Sequence, residues 1–468
     1  MEPIIDKETL LDIFTDNLEA MSAYYILKET NIPLFITGKA GSGKSTFIKL
    51  ATTICPNKHS ILAPTGIAAL NVNGETIHSF FHLPHRFMLP DDPEMKKIMD
   101  GAIVNKDIVE IELLIFDEIS MVSSAMLDCI NLILQKACNS DKPFAGKKVL
   151  FVGDPFQLPP IVKNEDRYSL HSKYESEFFF HSEVFQEVNP LRIEFQINYR
   201  QNDAVFVNVL NNIRERTNLK NCISILNNRG FNDTDENGTW ISNNSIRLAY
   251  TNMGADQINT FELNKIEEES FDFYAEIEGE FDINSVQAVR KLVIKKGARI
   301  MFIKNNSYEG YANGTMGLIK NVNKKGIDIL TDDGNLITLK KEEWVNEKKQ
   351  NILIDGKWSS EYVKVGSLIQ YPIKLGWAIT VHKSQGLTFD KVCIINSTVA
   401  FAHGQLYVAL SRCRTLEGLS LIKKITATEI KVDEHVAEFY NTIKDDRIEG
   451  ILDEVLNTLE AEMENKAA

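Results

Sequence analysis

A glycine-rich segment near the N-terminus constrains the fold of this chain more than any other feature. Residues 38–45 read Gly-Lys-Ala-Gly-Ser-Gly-Lys-Ser and match the pattern G-x-x-x-x-G-K-[ST]. An apolar run at 33–37 precedes them, and a helix-forming sequence follows. A strand, a glycine turn and a helix in this order form a loop whose backbone N–H groups cradle phosphate oxygens. We therefore predict a nucleotide-binding α/β domain.

The side chains of this loop have separate expected roles. Lys44 is expected to reach the β- and γ-phosphates of ATP, and the Ser45 hydroxyl is expected to be a ligand of Mg²⁺. ATP and Mg²⁺ are therefore the predicted cofactors. The predicted nucleotide-binding residues of this segment are Gly38, Ala40, Gly41, Ser42, Gly43, Lys44, Ser45 and Thr46.

A second motif adds the chemistry of hydrolysis. The apolar residues 113–116 end in the two carboxylates Asp117 and Glu118. We expect Asp117 to hold the Mg²⁺ ion and Glu118 to orient and polarise the attacking water. Such a pair by itself is commonly an exposed acidic turn, so this interpretation depends on the glycine-rich loop upstream. The adjacent glutamate distinguishes an ATP hydrolase from a passive nucleotide binder.

The pattern of apolar runs predicts the fold class. Short runs that resemble strands alternate with helical stretches such as 125–137, and this alternation is typical of a parallel, doubly wound sheet. A second α/β set is expected to begin near residue 190. The predicted strands are 33–37, 59–63, 113–116, 148–152 and 191–195, followed by 246–250, 391–396 and 419–421.

The stretch 306–366 has a different texture from its surroundings. Polar and apolar residues alternate there, and turns such as Asn313-Gly314 and Asp333-Gly334 separate them. Short alternating strands with glycine turns are typical of a small antiparallel barrel. We therefore predict a barrel inserted into the second α/β set.

The composition excludes several classes of protein. The chain has 468 residues and a formal net charge of −14, which argues against a general positive sheath for nucleic acid but allows a narrow binding groove. No apolar run approaches the roughly 18 residues of a membrane span. Residues 1–6 carry no pattern of a signal or transit peptide, and the six cysteines include no Cys-x-x-Cys. We expect reduced thiols and a cytoplasmic location, at the nucleoid in a bacterium.

Further motifs carry polar and aromatic groups to the ends of predicted strands. The loop 153–160 contains Gln157, which we expect to sense the γ-phosphate. After the second strand, a group of small polar and aromatic residues is suited to contact a sugar–phosphate backbone and to stack on bases. Each of these residues alone is more often part of a turn or of the core. They are Pro64, Thr65, Gly66, His78 and Phe80.

Taken together, the motifs resemble those of a known helicase family. Residues 198–201 (Asn-Tyr-Arg-Gln), 380–386 (Thr-Val-His-Lys-Ser-Gln-Gly) and 407–412 (Tyr-Val-Ala-Leu-Ser-Arg) resemble the later motifs of superfamily-one helicases of the B-type, RecD-like branch. Residues 117–121, with the helix that follows them, 142–146, 153–160 and 292–301 resemble stretches particular to the Pif (petite integration frequency) family. The resemblance spans roughly residues 33–421.

The resemblance implies two RecA-like domains with ATP in the cleft between them. It implies that Arg200 and Arg412 act as arginine fingers, and that Gly386 belongs to the nucleotide site. It also implies a domain plan: a helical region with the first RecA-like domain at 1–189, the second RecA-like domain at 190–430, and a helical tail at 431–468. The expected DNA contacts opposite Pro64, Thr65 and His78 are Thr380, His382 and Lys383.

The resemblance further implies an activity. It predicts an ATP-dependent 5′→3′ DNA helicase that translocates on single-stranded DNA and unwinds tailed or forked duplexes. It extends this expectation to G-quadruplexes and RNA–DNA hybrids, and to roles in DNA repair, recombination and telomere maintenance. A wedge that splits the duplex is expected at 82–107, and the barrel at 306–366 corresponds to an SH3-like insertion. We expect a monomer.

The chain departs from the family pattern before the glycine-rich loop. Family members usually carry there a glutamine that reads adenine, whereas residues 14–21 contain none. Asn17 offers an amide with the same donor and acceptor, and is therefore the candidate adenine-reading residue. The sequence leaves the use of GTP open.

Two alternatives remain from the sequence. One is an RNA-directed helicase of the Upf type, although the chain has no zinc-rich N-terminal module. The other is a single-strand DNA clamp that uses ATP only as a conformational switch. Glu118 together with the two arginines argues against the clamp, because a switch does not need the full hydrolytic set.

Overall fold

The structure is a computed structural model of the chain. It describes residues 7–84, 86–102, 106–199, 203–229, 245–281, 283, 286, 288–306, 308–323, 326–354, 357–396, 402–443, 447–448, 450–451 and 453. The described residues cluster into two compact units. The larger unit contains those within 5–230, 382–390 and 396–468, and the smaller unit those within 231–381 and 391–395.

Helices occur along most of the described chain. In chain order they are α1 (Lys7–Ile13), α2 (Leu18–Glu29), α3 (Lys44–Thr52), α4 (Gly66–Asn71), α5 (Ile77–Phe80), α6 (Met95–Ala102), α7 (Lys106–Glu110), α8 (Ser124–Cys138), α9 (Asn164–His171), α10 (Glu183–Val188), α11 (Ala204–Arg214), α12 (Leu219–Asn227), α13 (Asn252–Lys265), α14 (Gln405–Ser411) and α15 (Glu434–Tyr440). Short 3₁₀ helices cover Ile119–Met121, Pro143–Gly146, Phe179–His181, His382–Ser384 and Ala427–Glu429.

The strands lie close to the positions predicted from the apolar runs. They are β1 (Leu34–Gly38), β2 (His59–Ala63), β3 (Glu75–Thr76), β4 (Leu113–Phe116), β5 (Lys148–Val152), β6 (Leu191–Phe195), β7 (Ile246–Ala249), β8 (Ser270–Tyr274), β9 (Glu276–Gly279), β10 (Lys291–Lys295), β11 (Arg299–Phe302), β12 (Met316–Asn323), β13 (Gly326–Thr331), β14 (Leu336–Leu339), β15 (Glu342–Ile354), β16 (Lys357–Gln370), β17 (Ile373–Leu375), β18 (Ala378–Thr380), β19 (Val392–Ile395) and β20 (Leu419–Leu421).

The larger unit is built on a parallel sheet with strand order β3-β2-β4-β5-β1-β6. β1 lies between β5 and β6, with Leu34 opposite both Leu150 and Leu191. The strand at 191–195 therefore belongs to this first sheet. The predicted domain boundary at residue 190 is too early, because the hydrogen bonds of β6 are made to β1.

Both faces of this sheet are covered, which explains why its central strands β1, β4 and β5 are nearly continuous apolar runs. Successive side chains of a strand point to opposite faces. On one face Leu34 and Ile36 join a core to which α1, α2 and α3 contribute. On the other face the ring of Phe35 packs against Phe179 and Phe185, with ring centroids 5.4 and 6.1 Å away. The predicted parallel α/β class is confirmed.

The smaller unit combines a parallel and an antiparallel part. β7 pairs in parallel with both β18 and β19. An antiparallel sheet follows the order β14-β13-β12-β11-β17, and separate ladders join β15-β16-β9 and β10-β8. The predicted short strands of 306–366 are present, but the β region extends from β8 to β17 because strands on both sides of the predicted segment pair with those within it. Closure into a barrel stays a prediction.

The predicted wedge segment packs onto the larger unit. Its helix α6 contacts α8, and the guanidinium of Arg86 forms ion pairs with Asp92 and Glu94 at 2.7 and 3.0 Å. A role in splitting the duplex stays a prediction. Across the described part of the chain, no helix has both the length and the apolar character needed to cross a membrane.

Candidate nucleotide-binding and DNA-binding sites

The glycine-rich loop connects β1 to α3, as the sequence predicts. Gly43 has φ +86°, in the left-handed region that favours glycine. At Gly38, with φ +149°, an added Cβ would lie only 2.8 Å from the carbonyl oxygen of Phe195. These two glycines let the loop turn tightly against the end of β6, so its backbone N–H groups stay available to phosphate oxygens.

A cavity of about 250 Å³ opens over this loop, and every residue lining it belongs to the larger unit. It gathers residues that are far apart in the sequence, including most of those predicted to bind nucleotide or to catalyse hydrolysis. Its lining consists of Ala40, Gly41, Ser42, Gly43, Lys44, Ser45, Thr46, Ala68, Asn71, Asp117, Glu118, Gln157, Tyr199, Gly386 and Arg412.

The backbone of the loop holds the ammonium group of Lys44 in place. Its Nζ donates hydrogen bonds to the carbonyl oxygens of Gly38 at 2.5 Å and Lys39 at 3.1 Å. The positive charge therefore lies directly over the loop, where the β- and γ-phosphates of a nucleotide are expected.

The two carboxylates at the end of β4 differ in their surroundings. Burial, and secondarily the charge of Glu118, raise the pKa of Asp117 to about 7. The backbone N–H of Glu118 donates to Asp117 Oδ1 at 2.9 Å, and Glu118 adopts a left-handed conformation with φ 48°. A buried carboxylate beside another one is stabilised by a cation, and the hard oxygen donors of Asp117 and Ser45 fit Mg²⁺. Strained backbone of this kind often marks an active site.

Gln157 presents a buried polar group to the cavity. The residue is only 4% exposed, and its Oε1 has no hydrogen-bond partner among the described residues. An unsatisfied buried oxygen is costly. This oxygen is therefore suited to accept a hydrogen bond from a ligand in the cavity.

A buried network links the Gln157 loop to the glycine-rich loop. Asp154 accepts hydrogen bonds from Arg214 Nε and Nη2 at 3.1 and 3.0 Å. The Tyr407 hydroxyl donates to Asp154 Oδ2 at 3.2 Å and accepts from the backbone N–H of Ala40 at 3.0 Å. Sequence reasoning missed this network, because each of its contacts joins residues that are distant along the chain.

The structure describes one of the two predicted arginine fingers. Arg412 lines the cavity and is 2% exposed. Its guanidinium donates to the Ser411 hydroxyl at 2.8 Å and to the carbonyl oxygen of Leu387 at 3.2 Å. These contacts hold the positive group at the cavity wall. Arg200 lies outside the described residues, so its role stays a prediction.

Asn17 has a different position from the one proposed for it. It is fully buried, its Oδ1 caps α2 by accepting from Ala20 N at 2.9 Å, and its Nδ2 donates to the Tyr199 hydroxyl at 3.1 Å. It does not line the cavity. Because Asn17 is fully buried and lies outside the cavity lining, we correct the prediction: Asn17 supports Tyr199 instead of reading the base itself.

Tyr199 and Asn198 are site residues whose individual roles sequence reasoning missed. Tyr199 lines the cavity, is 44% exposed and packs edge-on against Phe14. Its backbone N–H donates to Gly41 O at 2.8 Å, and Asn198 Nδ2 donates to Ala40 O at 3.0 Å. The chain after β6 therefore clamps the glycine-rich loop. The Asn-Tyr-Arg-Gln motif was the available signal for both residues.

Gly386 lies beside Asn71 at the cavity wall. An added Cβ at Gly386 would approach Asn71 Nδ2 to 2.3 Å, and its φ of +76° also favours glycine. Asn71 Nδ2 is buried and has no hydrogen-bond partner among the described residues. Asn71 was not predicted, because nothing in its local sequence distinguishes it from an ordinary helical residue.

A second cavity of about 420 Å³ contains three predicted DNA-binding residues: Pro64, Thr65 and His78. The remainder of its lining is mostly apolar and comes largely from the predicted wedge segment and from residues 160–166. Apolar and aromatic surfaces of this kind accept unpaired bases. The other lining residues are Leu83, Pro84, Arg86, Phe87, Met88, Met121, Ser123, Met126, Cys129, Pro160, Ile161, Val162, Lys163 and Asp166.

The remaining predicted DNA contacts have varied surroundings. Gly66 begins α4. Phe80 is buried and packs edge-on against Phe81, with ring centroids 4.9 Å apart. A ring in the core cannot stack on a base, so we correct the predicted role of Phe80 to a packing one.

Thr380 ends β18 in the smaller unit. His382 and Lys383 share a 3₁₀ helix, where Lys383 is exposed and burial lowers the pKa of His382.

The parallel sheet, the glycine-rich loop and the paired carboxylates define the class of protein. The chain is a P-loop nucleoside triphosphatase with RecA-like domains. A family model described as PIF1-like helicase matches residues 18–236, and a model of the UvrD-like helicase C-terminal domain matches 375–419.

Individual relatives identify the family. The ATP-dependent DNA helicase Pif1 of Campylobacter jejuni is 32% identical over 461 residues, which cover 91% of this chain and 96% of the relative. The ATP-dependent DNA helicase Pif1 of Psychrobacter sp. is 31% identical over 86% of this chain and 68% of the relative. The chain belongs to the PIF1-like helicase family, as the motifs predicted.

Solved structures agree with this assignment. Bacteroides sp. Pif1 in complex with ADP-AlF4 has a TM-score of 0.77 and 35% identity over 91% of this chain and 96% of that one. Bacteroides Pif1 bound to single-stranded DNA has a TM-score of 0.68 and 36% identity, with the same coverage. The fold and the family are therefore consistent with each other.

Proposed function

We propose that this chain is an ATP-dependent DNA helicase that moves 5′→3′ along single-stranded DNA. The observation that carries the proposal is the convergence of Lys44, Glu118, Gln157 and Arg412 on one cavity. A cation for the phosphates, a base for water, a γ-phosphate sensor and an arginine together form a hydrolytic set.

Each residue of this set has a role that follows from its position. Lys44 neutralises charge on the phosphates, and Glu118 orients the attacking water. Ser45 and Asp117 hold Mg²⁺, which neutralises developing charge on the phosphate oxygens. The buried, unpaired carbonyl oxygen of Gln157 can accept a hydrogen bond from the attacking water beside the γ-phosphate, which would link the occupant of the cavity to the loop 153–160.

The adenine platform in this proposal is Tyr199 and not Asn17. The exposed ring of Tyr199 lies at the cavity wall, and its hydroxyl is fixed by the amide of Asn17. A stacked ring gives affinity for any purine base, because every base has a π-face. This arrangement supports binding of both ATP and GTP.

The cavity formed by Pro64, Thr65 and His78 supports contact with DNA, and the Bacteroides relative was solved with single-stranded DNA. Lys383 adds an exposed cation for a phosphate group. We propose single-stranded DNA and tailed or forked duplexes as ligands, G-quadruplexes as further targets, and the cytoplasm as the place of action, at the nucleoid in a bacterium.

Direction of travel is the most discriminating test. Duplexes with a 5′ tail, a 3′ tail or blunt ends are mixed with protein, Mg²⁺ and ATP, and strand separation is measured. We expect unwinding of the 5′-tailed duplex alone, and none with a non-hydrolysable nucleotide. Matched forks of RNA test the alternative substrate. Unwinding from the 3′ tail only would contradict the proposed polarity, and efficient unwinding of RNA forks alone would contradict the proposed substrate.

A further inference from the structure

Two histidines and a glutamate converge outside the nucleotide site. Glu175 precedes the 3₁₀ helix that contains His181, and His435 lies in the first turn of α15. His181 Nε2 is 3.7 Å from Glu175 Oε2, and His435 Nδ1 is 3.6 Å from Glu175 Oε1. The three ligand atoms all lie within 4.8 Å of one another.

These separations are close to those of a metal site. Zn²⁺ binds histidine nitrogen and carboxylate oxygen at about 2.0–2.1 Å in tetrahedral geometry. Two donor atoms of such a tetrahedron are therefore about 3.3–3.4 Å apart, which is the length of its edge. The two nitrogen–oxygen separations, one to each oxygen of Glu175, exceed this edge by about 0.2–0.4 Å, and the ligand atoms of the three residues lie within 4.8 Å of one another. Side-chain rotations can therefore bring the three donors into range. Two histidines and one carboxylate also form a donor set that zinc uses in proteins, with a fourth position left to water.

A neighbouring serine supports one of the ligands. His181 Nδ1 is 2.6 Å from the hydroxyl oxygen of Ser176, which also accepts the backbone N–H of Phe178 at 3.3 Å. When Nδ1 donates its proton to Ser176, the lone pair is on Nε2, the atom that faces Glu175. Metal-bound histidines almost always donate their second N–H in this way, which fixes the tautomer and the ring orientation.

The surroundings of the cluster are acidic and favour a cation, because Asp433 and Glu438 also interact electrostatically with the His181 ring. The rings of His181 and His435 lie edge to face, with centroids 5.2 Å apart, so both can turn a nitrogen toward a common point.

We propose that Glu175, His181 and His435 form a binding site for a divalent transition-metal ion, with Zn²⁺ as the best fit. The ion connects α15 to the segment that precedes α10, two parts of the larger unit that are about 250 residues apart in the sequence. Hard ions such as Mg²⁺ prefer oxygen ligands, so the site is chemically distinct from that of Ser45 and Asp117.

The test is a zinc titration of tag-free, metal-stripped protein in buffer with excess Mg²⁺ and no nucleotide. Calorimetry should show one equivalent of Zn²⁺ bound at this site, and the melting temperature should rise. His435→Ala and Glu175→Ala, which change exposed or half-exposed side chains, should each lose that equivalent and that rise. Ser176→Ala should weaken binding about 10–100-fold.

His171→Ala is the matched control, because His171 is an exposed histidine in α9 that is not part of the cluster. This variant should bind zinc as the wild type does. Co²⁺ provides a second readout: visible bands without a thiolate charge-transfer band identify nitrogen and oxygen ligands. Unchanged zinc affinity in His435→Ala, no bound equivalent in the wild type, or a thiolate band that persists in His435→Ala would overturn the proposal.

Discussion

Replacing Tyr407 with phenylalanine removes one hydroxyl group that joins two functional loops. That hydroxyl accepts from the backbone N–H of Ala40 at 3.0 Å and donates to Asp154 Oδ2 at 3.2 Å. Burial and the charge of Asp154 raise the pKa of Tyr407, so the group is protonated at neutral pH. The substitution therefore removes hydrogen bonds and no charge.

The size of the effect follows from which partner is left unsatisfied. Asp154 keeps its bonds to Arg214 at 3.0–3.2 Å, so it loses little. The N–H of Ala40 loses its partner in a buried position, which costs about 1–3 kcal/mol. We expect Tyr407→Phe to lower the free energy of unfolding by that amount. If about 1.4 kcal/mol of this loss also appears in nucleotide binding, the affinity for ATP falls about tenfold.

Urea unfolding and binding of a fluorescent ATP analogue measure the two effects. Tyr440→Phe is the matched control, because the Tyr440 hydroxyl donates to Glu194 at 2.8 and 2.9 Å, and among the described residues its hydrogen bonds do not reach the glycine-rich loop. The control should keep wild-type affinity for ATP. Equal ATP affinity in wild type, Tyr407→Phe and Tyr440→Phe would refute the inferred link between Tyr407 and the nucleotide loop.

The other predictions concern the hydrolytic set directly. Lys44→Ala should abolish nearly all ATP hydrolysis and keep binding of single-stranded DNA. The control Lys49→Ala, which changes a residue further along α3 and outside the cavity, should hydrolyse ATP normally. Wild-type turnover in Lys44→Ala would contradict the assignment of the phosphate-binding site. Glu118→Gln should bind ATP but not turn it over, and loss of binding instead would argue against a base. Arg412→Ala and Arg200→Ala should each reduce DNA-stimulated turnover on the order of 10³-fold while sparing ATP binding more; near-normal rates in both would exclude the arginine-finger role.

The sequence alone predicted the parts of the site that depend on local order. Residues 38–45 form the expected loop because glycines at fixed offsets, between a strand and a helix, adopt the positive φ angles that the tight turn requires and that other residues disfavour. The strand at 113–116 was predicted with the same bounds, because a short apolar run that ends in two acids reads clearly as a buried strand. The family assignment followed from the order of such motifs along the chain.

The domain boundary at 190 and the role of Asn17 depended on contacts that sequence patterns do not specify. An alternating segment such as 191–195 (Leu-Arg-Ile-Glu-Phe) has the same pattern in either sheet, and only its pairing with β1 assigns it to the first one. An asparagine before a helix fits both a cap and a ligand contact. The structure shows that Asn17 is a helix cap, because its amide oxygen accepts a hydrogen bond from Ala20 N.

The sequence by itself determined which chemical groups this protein carries and which local structures hold them, since strand periodicity and glycine turns are properties of neighbouring residues. The tertiary structure alone decided which distant groups meet. Asp154 contacts Arg214 and Tyr407, which follow it by 60 and 253 positions, and Glu175 meets His435. Such pairs leave no local pattern, because their spacing in the chain is set by the path of the fold and not by the geometry of one helix or strand.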